Sequence, residues 1–313
     1  MATQLLVGLD IGGTKSATLI GDADGHVHAR QEFPTTSPEE TVGRLIELAK
    51  DLCTDECPAA CGIACGGPLS SREGLILSPP NLPGWDRVPV VQMVRDALGI
   101  PAGLENDANA AAFAEWHWGF DRSVENLVFL TCGTGMGAGM VLGGRLYRGR
   151  EDMAGEIGHV RLMPLGPVGY FKAGSVEGLT SGTALGSIAR LRLAEPHAAS
   201  VLDKFPLTGI TGRSVGEAAV DGDEFAMAVV RELGDYLGRA CAILIDVLNP
   251  QRISLGSLAL RLGPLLVNAV RESARREALP IAMAACSIDK AVLGDRIQDL
   301  ATLAVAREAM EQK

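Results

Sequence analysis

Two stretches of the chain share one pattern of apolar and polar positions. "LVGLDIGGTKSATLIG" (6–21) reads as apolar strand, glycine-rich turn and apolar strand, and "LVFLTCGTGMGAGMVLGG" (127–144) repeats that plan. Superposed, Asp10 falls on Thr131, Gly12 on Gly133 and Gly13 on Thr134. Self-similarity of this kind predicts a duplicated unit, with a boundary shortly before Glu125.

Around these hairpins, strand and helix patterns alternate. "SPEETVGRLIELAKDL" (37–52) places Ser37 as N-cap, Pro38 at the first helical position and apolar residues at helical spacing. "DRVPVVQMVRDALG" (86–99) closes on Gly99, a C-cap residue type, and "DANAAAFAEWHWG" (107–119) reads as one further helix. The apolar segment 225–248 predicts a buried helix stopped by Asn249-Pro250; the strand "RISLGS" and a last helix, "DRIQDLATLAVAREAM", follow. Alternation of this order is α/β architecture with mixed sheets.

Composition narrows the function classes. The net charge of -10 opposes a nucleic-acid footprint, which needs clustered Lys and Arg. The one basic run, 271–276, carries Glu272 and reads as a solvated helix face. No apolar run reaches the roughly 18 residues of a membrane helix, and "MATQLLVGLD" lacks a leader's basic start and cleavage site. A cytoplasmic location without membrane partners is the expectation. Cys53, Cys57, Cys61 and Cys65 are evenly spaced, more widely than paired zinc thiolates, and read as buried small hydrophobes.

The chemistry gathers at the turns. Glycines let the backbone approach a ligand and adopt positive φ, so that successive N–H groups converge on an anion. Gly12, Gly13 and Thr14 form one such cradle, and Gly133, Thr134 and Gly135 the other. Neither matches a P-loop or a dinucleotide fingerprint. Asp10 ends the first strand, where an acid can hold Mg²⁺ through water or merely cap the turn; Lys15 can neutralise phosphate charge or point into solvent. At "GLENDANAAAFAE" (103–115) polar residues stand where a strand gives way to a helix. Asp107 there is either an N-cap or, kept ionised by the helix dipole, a base for a substrate hydroxyl. "SPPNLPGWD" (78–86) is a loop with an exposed-looking Asn81 and Trp85, the tryptophan also serving as a packing anchor.

Taken together, these pieces resemble the ROK family of sugar kinases and repressors, within the actin-like ATPase superfamily. "DIGGTK" (10–15) looks like its first phosphate loop and "GTGMGAGMVLGGRLYRG" (133–149) like the second. "ENDANAAA" (105–112) is similar to the segment with the family's catalytic aspartate, here Asp107, and "PNLPGW" and "AGEIGH" are further signatures. The resemblance implies two RNase-H-like α/β domains with ATP and sugar in the cleft between them. We expect 1–118, joined by the C-terminal helix 295–313, and 119–294. It implies sugar-hydroxyl contacts from Asn81, Asn106, Asp107, Glu156, His159 and Glu177, with Gly256 against the adenosine. The implied reaction is ATP- and Mg²⁺-dependent phosphorylation of a hexose 6-hydroxyl, glucose first. N-acetylglucosamine, N-acetylmannosamine, fructose and allose are alternatives, as is an idle sugar-binding protein. A homodimer is implied by the family alone.

Two departures from the family pattern stand out. Many members place a zinc motif, C-x-C-G-x-x-G-C-x-E, after the EIGH histidine. Here its cysteine positions hold Val168, Tyr170 and Ser175, and only His159 is left of four ligands. We therefore expect no structural zinc, with Tyr170 and Phe171 packing to hold the loop. "ISLGS" replaces the usual L-G-G, so Ser257 follows Gly256. Family repressors carry a DNA-binding motif ahead of the first phosphate loop; with Asp10 so near the start of this sequence and a net charge of -10, a repressor is not the expectation.

Overall fold

A computed structural model of the chain describes residues 4–53 and 57–311. The first three residues of the stretch read for a leader, residues 54–56 among the spaced cysteines, and the last two of the expected 295–313 helix lie outside the described residues. The chain divides into two compact units. The first runs to Ser123 and takes in Leu146–Ala154 and the chain from Asp295; the second comprises Val124–Arg145 and Gly155–Gly294. The boundary thus falls five residues beyond the expected 118, and Leu146–Ala154 groups with the first unit rather than the second. The reason is specific bonding: Arg148 pairs with Glu105 and Glu308, while Ser71 binds both carboxylate oxygens of Asp152.

The sheet of the first unit contains β1 (Leu5–Ile11), β2 (Lys15–Asp22), β3 (Val27–Pro34), β4 (Ala60–Cys65) and β5 (Ala102–Asn106), in the order β3-β2-β1-β4-β5. β1, β2 and β3 form an antiparallel meander, and β4 and β5 continue the sheet in parallel with β1. β4 is buried along its whole length, because helices cover both faces of a parallel region. One cover is α1 (Pro38–Leu52), started by Ser37, whose Oγ accepts the Glu40 N–H. Another is α2 (Val90–Leu98), ended by Gly99 in the left-handed region. The C-terminal helix, Ile297–Glu311, lies in this unit and buries Ala301 and Val305 with Ala64 and Ala110. The expected helix 107–119 is α-helical only as α3 (Asp107–Ala114) and continues as a π-helical turn, Glu115–Gly119, whose Trp116 and His117 stack with each other and with Phe113 of α3.

The second unit repeats the plan. β6 (Leu127–Leu130), β7 (Ala138–Leu142) and β8 (Arg145–Leu146) form the meander, and β9 (Arg252–Leu255) and β10 (Ser287–Lys290) run parallel to β6, in the order β8-β7-β6-β9-β10. The two sheets have the same strand order, so the hairpin similarity seen in sequence is the visible part of a repeated topology. In this unit α4 (Val176–Thr180), α5 (Gly182–Leu193), α6 (Glu224–Leu248) and α7 (Pro264–Glu277) follow. Asp223 caps the start of α6, and Asn249 ends it in the left-handed region, as the Asn-Pro stop requires.

Of the spaced cysteines, Cys61 and Cys65 are buried in β4, but Cys53 is only partly buried and Cys57 is exposed, so the small-hydrophobe reading holds for two of the four. Among the described residues, no helix is long and apolar enough to cross a membrane.

Candidate active site

In the first unit the candidate residues gather at one end of the parallel strands, the end where α/β sheets bind ligands. The register makes this explicit: Asp10 of β1 pairs with Ala64 of β4 and Ala64 with Glu105 of β5, while Ile11, Cys65 and Asn106 form the next row. Beyond Ile11 the chain turns through Gly12, Gly13 and Thr14. Gly12 N–H donates to Lys15 O at 3.1 Å, and Thr35 braces the turn from behind, its hydroxyl donating to Gly12 O at 2.7 Å and its N–H to Thr14 O. Thr35 escaped the sequence reading, since nothing local ties the end of β3 to this turn.

Neither glycine uses positive φ, contrary to expectation. What Gly13 supplies is room: a Cβ there would lie 2.6 Å from Asn81 O. The "DIGGTK" and "PNLPGW" segments are therefore in contact, with Asn81 exposed beside the turn. Trp85 is buried, not exposed, and donates its indole N–H to Thr36 O. Lys15 is exposed and pairs with Glu32 at 2.6 Å, so its ammonium serves the neighbouring strand.

Asp107 stands at the β5–α3 junction, but the N-cap is Asn106, whose Oδ1 accepts the Ala108 N–H at 2.9 Å. Asp107 is the first helical residue, and its Oδ1 shares the same N–H at 2.8 Å. Its side chain reaches solvent, yet the protein around it removes enough hydration to raise its pKa, opposed by the Ala108 N–H. Asp10 is also raised, to about 6, by burial above all, with the negative charges of Asp107, Asp299 and Glu32 adding to it and Arg30 opposing.

Glu105, beside them, is 0% exposed. Its Oε1 accepts Asn106 N–H and Asn109 Nδ2, both at 2.9 Å, and its Oε2 accepts Arg148 Nε at 2.6 Å. Burial pushes the carboxyl up and the Arg148 guanidinium pulls it down. Arg148 is 43 residues away in the chain, and the sequence reading missed it.

In the second unit the turn after β6 carries Cys132 at φ 45, while Gly133 and Gly135 keep negative φ. Three neighbours grip this turn. Gly182, the first residue of α5, donates its N–H to Gly133 O at 2.7 Å; Thr183 donates its hydroxyl to Thr134 O; Glu177 Oε2 accepts the Met136 N–H at 3.1 Å. The "AGEIGH" segment runs alongside, with Ala138 N–H donating to Gly155 O. Its 3-10 turn Ile157–His159 leaves Glu156 and His159 exposed. Gly256, buried at the end of β9, donates its N–H to Leu130 O, and the next residue, Ser257, sits at φ 32.

Tyr170 and Phe171 do not hold the segment that stands in place of the zinc motif. Phe171 is 95% exposed and Tyr170 is largely exposed. The segment is a short hairpin, Val168–Gly169 with Lys172–Ala173, tied down by main-chain bonds: Gly174 N–H donates to Pro167 O, and Leu162 and Met163 N–H donate to Gly174 O. Ser175, at the third cysteine position, is fully buried. Its hydroxyl accepts the Gly178 N–H and donates to Gly169 O. A serine thus bonds internally where a thiolate would ligate metal. The described group able to gather a metal ion is Asp22, Asp24 and His26, on the β2–β3 turn.

Two mixed sheets of matching strand order, each ending in a glycine-bearing turn, define the actin-like ATPase class of fold. Within that class the chain belongs to the ROK family, whose sequence model matches residues 6–307. A glucokinase of Streptomyces coelicolor is 33% identical over 279 residues, 87% of this chain and 87% of that protein. An N-acetylmannosamine kinase of Citrobacter koseri is 33% identical over 251 residues, 79% of this chain and 81% of that protein. Among solved structures, a ROK family glucokinase from Streptomyces griseus in complex with glucose and AMPPNP superposes with a TM-score of 0.80 at 31% identity, covering 97% of this chain and 99% of that one.

Proposed function

We propose that the chain is an ATP-dependent sugar kinase that phosphorylates the 6-hydroxyl of a hexose, with glucose as the first expected substrate. The observation that carries this is Asp107: an exposed carboxylate at the end of a parallel strand, with a raised pKa, beside the Asp10 turn. In the proposed reaction Asp107 accepts the hydroxyl proton as the sugar oxygen attacks the γ-phosphorus. The new P–O bond forms, the bond to the β-phosphate oxygen breaks, and ADP leaves. A carboxyl whose pKa is raised is a better-matched base than an ordinary one.

Asn81, Asn106 and Asp107 of the first unit and Glu156, His159 and Glu177 of the second are the proposed partners of the sugar hydroxyls. The turns 12–14 and 133–135 are the proposed phosphate cradles, with Gly256 toward the adenosine. Lys15 is left out of the phosphate set, because its ammonium pairs with Glu32. Asp10 fits a Mg²⁺ held through water: a carboxyl pushed to about 6, partly by three neighbouring carboxylates, is a donor that a dication relieves. When bound, Mg²⁺ supplies neutralising charge for the phosphates. Zinc is not part of the proposal, since Val168, Tyr170 and Ser175 offer no thiolate.

N-acetylmannosamine is a second substrate reading, supported by the Citrobacter koseri relative. A hexose panel assayed for ADP release with ATP and Mg²⁺, after zinc chelation, tests both, with ³¹P spectra locating the phosphate. Turnover on glucose with phosphate at the 6-position supports the first reading. Exclusive turnover on N-acetylmannosamine replaces it with the second, and no turnover on any sugar refutes both. Family membership extends the proposal to a cytoplasmic homodimer, which light scattering on the purified chain tests as far as the dimer.

A further inference from the structure

Residues 177–183 hold the second glycine turn by successive main-chain groups: Gly133 O by Gly182 N–H, Thr134 O by the Thr183 hydroxyl, and Met136 N–H by the Glu177 carboxylate. Two of these contacts come from the start of α5. The third comes from a side chain whose backbone is fixed in turn, Ser181 N–H donating to Glu177 O. The Glu177 carboxylate also explains the residue beside it. A Cβ built on Gly135 would meet Glu177 Oε2 at 2.9 Å, with its Cδ at 3.7 Å and nothing else within 4 Å. Because Gly135 does not use positive φ, its backbone would accept alanine. What an alanine would meet is the end of the Glu177 side chain, so it could enter only by shifting that carboxylate from its present place.

We propose that Glu177 is a positioning residue for the phosphate turn, independent of any contact it makes with sugar: its carboxylate on Met136 N–H sets the shape of Thr134–Met136, and Gly135 is glycine to admit that carboxylate. The proposal rests on the reading of 133–135 as a phosphate cradle. It separates two roles of one side chain. A sugar acceptor alone affects sugar affinity; a residue that shapes the turn affects nucleotide affinity with no sugar present. The same carboxylate then links the two ligands, since a sugar hydroxyl bonded to Glu177 draws on the group that shapes the nucleotide turn.

The test is AMPPNP binding by calorimetry to the full chain, without sugar, with thermal melting to confirm folding. Glu177→Ala is expected to weaken AMPPNP about 10- to 150-fold, the loss of one hydrogen bond to a charged group. Glu177→Gln keeps a carbonyl acceptor for Met136 N–H and is expected to stay within about threefold of wild type, on the same hydrogen-bond scale, while losing sugar affinity. Gly135→Ala displaces the carboxylate and is expected to match Glu177→Ala, and the double variant to be no worse than either. Unchanged AMPPNP affinity in Glu177→Ala overturns the proposal, as do fully additive losses in the double variant. If Glu177→Ala does not fold, Gly135→Ala against Glu177→Gln decides in its place, and wild-type affinity in Gly135→Ala overturns the proposal. A wild-type chain that binds no AMPPNP refutes the cradle reading itself, and the proposal with it.

Discussion

Arg148 Nε donates to the buried carboxylate of Glu105 at 2.6 Å, and that carboxylate in turn accepts the N–H of Asn106, the residue before Asp107. A charge from the segment after the second hairpin thus supports the strand end that presents the proposed base. Taking away one member of such a pair leaves the other charge buried and alone. Arg148→Met should destabilise the first unit by about 3 kcal/mol, and Arg148→Met with Glu105→Gln should recover part of that loss. Denaturant midpoints of the two single variants and the double variant check it; additive losses would show that the pair is not coupled.

Asp10 makes the strain of the site measurable through pH. Its folded pKa is raised to about 6 from the ordinary 3.8, so the folded chain holds this proton more tightly than the unfolded chain. The group contributes no penalty below pH ~4. Its stabilising proton is lost as pH rises toward 6, and above that it opposes folding by about 1–3 kcal/mol. Asp10→Asn should therefore melt higher than wild type at pH 7.5 and with almost no difference at pH 4, while losing phosphoryl transfer. Melting curves across that range check the sign.

Ser257 occupies φ 32, a region that favours glycine. Ser257→Gly should stabilise the chain by about 1 kcal/mol by relieving that strain, with AMPPNP affinity unchanged or improved. A destabilised Ser257→Gly would show that the hydroxyl, not the backbone, matters there.

The hairpin in place of the zinc motif offers a contrast between two residues. Phe171→Ser should change stability by no more than about 0.5 kcal/mol, because the ring is almost wholly in solvent. Ser175→Ala should cost about 1–2 kcal/mol, since it removes a buried hydroxyl bonded to both Gly178 N–H and Gly169 O. Chemical denaturation of both variants measures the difference.

The parts of this molecule legible in sequence are those written locally. The two hairpins announced themselves by apolar runs on either side of glycines, and the Ser37 cap and the Asn249-Pro250 stop by residue type at the right spacing. What escaped depends on partners far along the chain. Arg148 finds Glu105 across 43 residues, Thr35 reaches back to Gly12 across 23, and Glu177 meets Met136 across 41. The aromatic pair Tyr170-Phe171 misled because side-chain type suggests burial, while at the tip of the tight hairpin Phe171 stays almost wholly in solvent and Tyr170 meets only the edge of His159 and its neighbour Phe171 among the rings. At Asp107 the helix start was legible from residue type, while the burial that raises its pKa against the Ala108 N–H was not.

Whether Asp107 takes the hydroxyl proton is tested most directly by single-turnover phosphoryl transfer from ATP to the preferred hexose by wild type and Asp107→Asn, with the affinities for hexose and AMPPNP measured alongside. Proton acceptance by Asp107 predicts a rate lower by about 10²–10⁴-fold with both ligands still bound. A variant that transfers the phosphoryl group at the wild-type rate would contradict it.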